Sequence, residues 1–217
     1  MLGITNFKLR RVNKTMIKAV LFDIGGVMIY DPDEQIYRTI SQAMDRDYKK
    51  TRPKAEELLP DLEIGKISER EYFIRLTKVL GIPFRELYVK LWNSATENFE
   101  LNEGVFKIAR ELKNNYKIGI ISNTNKTHVD YFKSTHWIKI FNPVILSSDV
   151  GAKKPDRKVY EIAIKKLDLA AGECVFVDNL LKHIRAAKRF GMKGILFKDA
   201  QQLRCELKKL GVNISIN

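Results

Sequence analysis

The 217-residue sequence has only two cysteines, Cys174 and Cys205. That is too few for a disulfide framework, and a reduced cytoplasmic setting is expected. Cys174 opens the apolar run Cys174-Val175-Phe176-Val177, which marks it as a small core residue rather than a reactive thiol. Nowhere does an apolar run approach the roughly 18 residues of a membrane span. Acidic residues are absent before Asp23, whereas Lys8, Arg10, Arg11, Lys14 and Lys18 all precede it. The stretch 1–15 lacks the apolar centre of a secretory signal. It is expected to be a basic extension, with the ordered domain starting at Met16; a weak organelle-targeting signal is the alternative. Acidic residues are scarce overall, 26 against 39 lysines and arginines, giving a formal charge of +13. Such a field attracts anions, including phosphorylated metabolites and nucleic acid. No zinc finger, aromatic-basic interleave or other nucleic-acid motif accompanies it. Lys107, Lys113, Lys117, Lys165 and Lys166 are accordingly expected to solvate helix faces.

Five short runs rich in Ile, Val, Leu and Phe read as strands: Ile17–Phe22, Lys117–Ser122, Pro143–Ser147, Cys174–Asp178 and Gly194–Phe197. Each is almost continuously apolar, as strands buried on both faces of a parallel sheet are. Helical periodicity separates them, over Glu103–Asn115, Asp156–Leu167, Leu180–Phe190 and Ala200–Leu210. The alternation predicts a doubly wound, Rossmann-like α/β core. From Asp33 to Asn98 only helical periodicity occurs, with breaks expected at Pro53, Pro60, Gly65, Gly81 and Pro83. Ser68-Glu69-Arg70-Glu71 has the form of a capping box. The division expected is a core of residues 16–32 and 99–217, with an α-helical insert at 33–98.

Ligands bind beyond the carboxyl ends of the strands in an open parallel sheet. The first strand ends in Asp23, followed by Ile24-Gly25-Gly26-Val27. The second ends in Ser122-Asn123-Thr124-Asn125, the third leads to Lys153-Lys154-Pro155, and the fourth ends in Asp178-Asn179. Two carboxylates close together repel unless a cation lies between them. Mg²⁺, a hard ion that prefers oxygen ligands, is the natural candidate. Ser122 and the backbone near Asn123 can donate to phosphoryl oxygens, and Lys154 supplies a fixed positive charge. Gly25 and Gly26 are expected to let the chain turn sharply against metal and phosphate.

With those residues in place, the sequence resembles the haloacid dehalogenase superfamily, in the branch that carries a helical cap. The pieces are Phe22-Asp23-Ile24-Gly25-Gly26-Val27, Ile121-Ser122-Asn123-Thr124-Asn125, Gly151-Ala152-Lys153-Lys154-Pro155-Asp156 and Val175-Phe176-Val177-Asp178-Asn179. Their order and spacing match over about residues 17–198. The Ser-Asn-Thr-Asn stretch is similar to that of bacterial sugar-phosphate phosphatases of the glucose-1-phosphatase type. The resemblance implies that Asp23 is a nucleophile phosphorylated in turnover, assisted by Lys154. It also implies that Ser122, Asn123 and Gly26 hold the phosphate of a small metabolite, and that Asp23, the Gly25 carbonyl and Asp178 hold Mg²⁺. Asn179 reads either as a ligand near the metal or as a helix cap. His183 stands where the family often has asparagine and reads as structural; His128 and His136 have no evident partner.

One position departs from the family pattern. Most phosphatases of this superfamily carry a second aspartate two residues after the nucleophile, as general acid and base. Here that position is Gly25. Asp31 and Asp33, close behind, are the candidates to replace it. Three functions remain open from sequence: a Mg²⁺-dependent phosphatase, a metal-independent hydrolase attacking carbon as haloacid dehalogenases do, and a non-catalytic binding protein on the same scaffold.

Overall fold

The computed structural model describes residues 16–30, 33–95 and 99–215. The strands are β1 (Ala19–Phe22), β2 (Lys117–Ser122), β3 (Val144–Leu146), β4 (Cys174–Asp178) and β5 (Lys193–Leu196). They form one parallel sheet in the order β3-β2-β1-β4-β5. Its side chains alternate as the pleat requires. Val20, Phe22, Ile118, Ile120, Val175 and Val177 point into one apolar cluster, while Ala19, Leu21, Ile121, Cys174 and Phe176 point into another.

Helices α5 (Glu103–Leu112), α6 (Lys126–Ser134) and α10 (Ala200–Lys209) cover the first face; α8 (Arg157–Leu167) and α9 (Leu181–Phe190) cover the second. The sequence supports each locally. The Asn102 side chain caps α5 by accepting from Val105 N, and Asn125 caps α6 by accepting from His128 N. Asn125, not Ser122 or Asn123, is therefore the residue that caps α6. A short α7 (Ser147–Val150) follows β3 directly. Lys117 opens β2 instead of solvating a helix, and its Nζ donates to Leu167 O at 2.6 Å.

Between β1 and β2 the chain leaves the sheet. Residues 28–30 and 100–102 run side by side, through Tyr30 N to Glu100 O and Asn102 N to Met28 O. Beyond this double crossing lie α1 (Asp33–Ala43), α2 (Tyr48–Glu63), α3 (Glu69–Leu80) and α4 (Glu86–Ser94). They enclose an apolar cluster of their own, centred on Tyr72, Phe73, Leu76, Tyr88 and Trp92. Pro53 and Pro60 do not break this region: both lie inside α2. Each removes one backbone donor. Both prolines are exposed, so the carbonyl left over one turn earlier can turn to water. Ser68 caps α3 by accepting from Glu71 N at 3.2 Å, but the Glu71 carboxylate binds Arg75 instead of closing the box.

The extension 1–15 and Asp31 lie outside the described residues. Among the described residues no helix is long and apolar enough to cross a membrane.

Candidate active site

The strand order reverses direction at β1, and the register brings the two strand-end carboxylates together. Phe22 pairs with Val177, which sets Asp23 beside Asp178; Asp23 N donates to Val177 O at 2.9 Å. Lys154 enters from the loop after α7 and lies between them. Its Nζ is 2.7 Å from Asp23 Oδ1 and 2.8 Å from Asp178 Oδ2. All three side chains are buried, Lys154 at 1% exposure and Asp178 at none.

Burial of ionised groups at this depth requires pairing and hydrogen bonds. Asp23 Oδ1 also accepts from Ile24 N at 2.7 Å, and Asp178 Oδ1 from Leu180 N at 2.7 Å. His183 Nδ1 lies 3.0 and 3.1 Å from the two Asp178 oxygens. The Asn123 side chain fastens the lysine loop from both sides: its Oδ1 accepts from Lys154 N and its Nδ2 donates to Lys154 O. Thr124 N donates to Ser147 Oγ, so that amide is committed to the scaffold.

The charges are not balanced. Burial pushes the Asp23 carboxyl up to about 7, reinforced by Asp178 and opposed by the Lys154 ammonium. Burial would raise Asp178 too, but Lys154 and the His183 bond outweigh it and hold the group well below the usual carboxylate range. Lys154 is held above its ordinary value because its two carboxylates outweigh its burial. Burial lowers His183 against the pull of Asp178. Two carboxylates thus share one ammonium, and Asp23 carries the shortfall.

Of the other residues expected at the site, Ser122 and Asn123 lie at the end of β2 and, with Gly25, line a cavity of about 500 Å³ over Asp23. Gly26, not Gly25, makes the sharp turn, with φ +72°. A side chain at Gly26 would collide with the Asn179 amide at 2.2 Å, whereas one at Gly25 would meet nothing within 4 Å. Asn179 does not cap α9, whose N-cap is Leu180. Asp33 is the first residue of α1.

Sequence reasoning missed several residues here. His183, read as a structural helical histidine, directly binds Asp178; the signal was its place one turn into the helix after β4. Lys153, adjacent to Lys154, pairs with Glu63 of α2 at 2.7 Å, and the Glu63 carbonyl accepts from Ser147 Oγ. Glu69 of α3 accepts from Thr127 N and Oγ1. His128 stacks on Trp92 of α4 at 5.8 Å and meets Phe99 edge-on at 5.0 Å. These bonds hold the helices α2–α4 over the strand ends.

A central parallel sheet with buried carboxylates and a lysine at its carboxyl edge defines an α/β protein built around a strand-end acidic site. Residues 20–197 match the haloacid dehalogenase-like hydrolases, and the chain belongs to that family. It is 27% identical over 203 residues to a sesquiterpene phosphatase of Aspergillus oryzae, covering 90% of this chain and 97% of that one. A D-ribitol-5-phosphate phosphatase of Bacteroides thetaiotaomicron is 26% identical over 203 residues, covering 88% and 97%. Among solved structures, a haloacid dehalogenase family enzyme of Bacteroides thetaiotaomicron in complex with magnesium and inorganic phosphate shares the fold. Its TM-score is 0.69 at 19% identity, over 84% of this chain and 95% of that one.

Proposed function

We propose that the protein is a Mg²⁺-dependent phosphatase of a small phosphate monoester, working through a phosphorylated Asp23. The observation that carries this reading is the buried pair Asp23 and Asp178 sharing the single ammonium of Lys154. Relatives named as phosphatases along nearly their whole length, and a fold neighbour solved with magnesium and phosphate, support it.

The residues suit a hard divalent cation. Asp23, Asp178 and His183 bring possible ligand atoms within 4.8 Å of one another, two of them carboxylate oxygens, in a cluster short of positive charge. Asp23, the Gly25 carbonyl and Asp178 would hold the ion. Mg²⁺ in that place screens the phosphate dianion from the attacking carboxylate and withdraws charge from the phosphoryl oxygens. Asn179, beside Gly26, is close enough in the chain to Asp178 to support the ion's waters.

Asp23 attacks phosphorus. The ester P–O bond breaks, its electron pair leaves on the alcohol oxygen, and that oxygen takes a proton from solvent water. Lys154 and Ser122 neutralise charge on the phosphoryl group, with Gly26 and the Asn123 backbone lining its path. Water then attacks phosphorus and gives up a proton to solvent, the bond between the Asp23 oxygen and phosphorus breaks, and inorganic phosphate leaves with the carboxylate restored. Helices α1–α4 act as a cap that closes over the cavity, and a cytoplasmic setting accompanies this reading. Gly25 also permits attack of Asp23 on carbon without a metal, and the charge deficit at the carboxylates favours the phosphatase. The test is a panel of phosphate monoesters assayed with Mg²⁺ and with chelator. Chelator-sensitive release of phosphate supports the proposal; full activity without divalent metal overturns it in favour of attack on carbon.

A further inference from the structure

The cavity over Asp23 has a mixed lining. At the strand edge it is charged and hydrogen-bonding, and α2 and the lysine loop add Arg52, Glu56, Glu63 and Lys153. Ile29, Leu59, Pro60, Phe99, Phe132 and Leu180 add an apolar wall. The aromatic part is a contiguous cluster: Phe99 stacks on Phe132 at 5.5 Å and meets His128 edge-on at 5.0 Å, and His128 in turn stacks on Trp92. Leu180 and its neighbour Leu181 are 43% and 46% exposed, large apolar side chains left open immediately beside the acidic edge.

The charged side chains that face the cavity from α2 and the lysine loop are committed to one another. Arg52 Nε bonds Glu56 at 2.6 Å, and Lys153 bonds Glu63 at 2.7 Å. Lys182 is exposed to water. Among the described residues, two side chains of the lining, Thr124 and Asn179, have a buried oxygen with no hydrogen-bond partner. Thr124 and Asn179 sit next to the strand-end motif residues, where a phosphate and its metal belong. His128, stacked on Trp92, brings an imidazole to the apolar wall. A polyol phosphate carries several hydroxyls, each of which must be hydrogen-bonded when it leaves water. Paired carboxylates and cations keep spare hydrogen-bonding sites, but the side chains of Leu59, Phe99, Phe132 and Leu180 offer a hydroxyl none. An apolar group needs none and gains from covering Leu59, Phe99, Phe132 and Leu180.

We infer that the organic part of the substrate is apolar, an alkyl, prenyl or aryl phosphate monoester, with its hydrocarbon against the Leu59–Phe99–Phe132–Leu180 wall and at most one polar group reaching His128. This rests on the phosphatase reading, so its test has an arm independent of turnover.

Two series keep leaving-group chemistry constant. In the first, n-alkylphosphonates from methyl to octyl are titrated into the Mg²⁺-loaded protein by calorimetry, below their micelle concentrations. In the second, kcat/KM is measured for n-alkyl phosphates of the same lengths and for polyol 6-phosphates with the same primary-alcohol linkage. Affinity and kcat/KM should rise by about twofold to fourfold per methylene until the cavity is filled. Leu59→Gln, on the partly exposed surface of α2, should flatten both slopes and leave methylphosphonate binding unchanged. Polyol phosphates that bind or turn over better than alkyl esters of equal carbon number would overturn the inference, as would a flat phosphonate series. A rising phosphonate series with no ester hydrolysed would instead overturn the phosphatase reading and leave the apolar site standing.

Discussion

Gly25 is the position at which the structure permits a gain of function. It sits two residues after Asp23, lines the cavity, and has a backbone φ outside the left-handed region. A Cβ there meets nothing within 4 Å, so Gly25→Asp can be accommodated; Gly26→Asp cannot, because Asn179 Nδ2 lies 2.2 Å from where the new Cβ would be. Without a proton donor at position 25, the wild-type rate should depend steeply on the basicity of the departing oxygen. Aryl phosphates, whose leaving oxygen is a weaker base, should be favoured over primary alkyl phosphates. A positioned general acid contributes about 10²–10⁴ in rate, or about 3–5 kcal/mol of barrier. Gly25→Asp should recover part of that on primary alkyl phosphates and little on nitrophenyl phosphate. A third carboxylate near Asp23 and Asp178 works against the gain by raising the charge deficit, so about tenfold is the working expectation at saturating Mg²⁺. The assay is the slope of log kcat/KM against leaving-group pKa for wild type, Gly25→Asp and the control Gly25→Ala. A flat wild-type series would refute the reasoning. A donor would then already be present, and Asp31 and Asp33 would be the first residues to replace.

Asp23→Asn should abolish phosphate release while far-UV circular dichroism and the thermal transition stay close to wild type, since the amide keeps the shape of a side chain that is costly to bury charged. Retained turnover in the folded variant would exclude the covalent route. His128 gives a prediction on stability. Burial lowers its pKa from 6.5 to about 4, so the unfolded chain binds the proton more readily than the folded one. The contribution of neutral His128 is whole above about pH 6.5 and is lost as pH falls through the interval down to about 4. The loss amounts to about 3 kcal/mol. Urea unfolding of wild type and His128→Phe at pH 7 and at pH 4.5 checks this: the wild type should lose more stability between the two, and equal losses would show that His128 is not the group responsible.

Much of the charged strand edge is legible in the sequence because neighbouring parallel strands bring their last residues together. Asp23, Ser122 and Asp178 each end or directly follow an apolar run, and the register of β1 with β4 does the rest. Lys154 is legible from its Lys-Pro context, though not the depth of its burial. Where local chemistry has two solutions, the sequence does not choose between them. Pro53 and Pro60 read as breaks because a proline removes a helix bond, but both fall on the water-facing side of α2, where solvent can replace the bond. The Gly-Gly pair reads as one turn, but only Gly26 has a positive φ, and its need for glycine is set by Asn179, 153 positions further on.

The same distinction explains why the substrate end of the cavity was the least legible part. Its wall is assembled from Leu59 on α2, Phe99 at the return crossing, Phe132 on α6 and Leu180 before α9, none of which belongs to a local motif. Each has an ordinary reading as a core or helix-face residue. The ion pair that fixes their mutual placement, Glu63 with Lys153, spans 90 residues of sequence. A motif at a strand end encodes chemistry because neighbouring strands must align whatever the helices do. A specificity wall encodes nothing locally, since any apolar residue of suitable size at each position would serve. The electrostatics make the two parts complementary. The cluster of Asp23, Lys154 and Asp178 lacks positive charge and calls for a metal and a phosphate, whereas the charged residues of the helical side have already satisfied one another. Beyond the reacting edge the lining mixes the paired charges of Arg52, Glu56, Glu63 and Lys153 with the hydrocarbon of Leu59, Phe99 and Phe132.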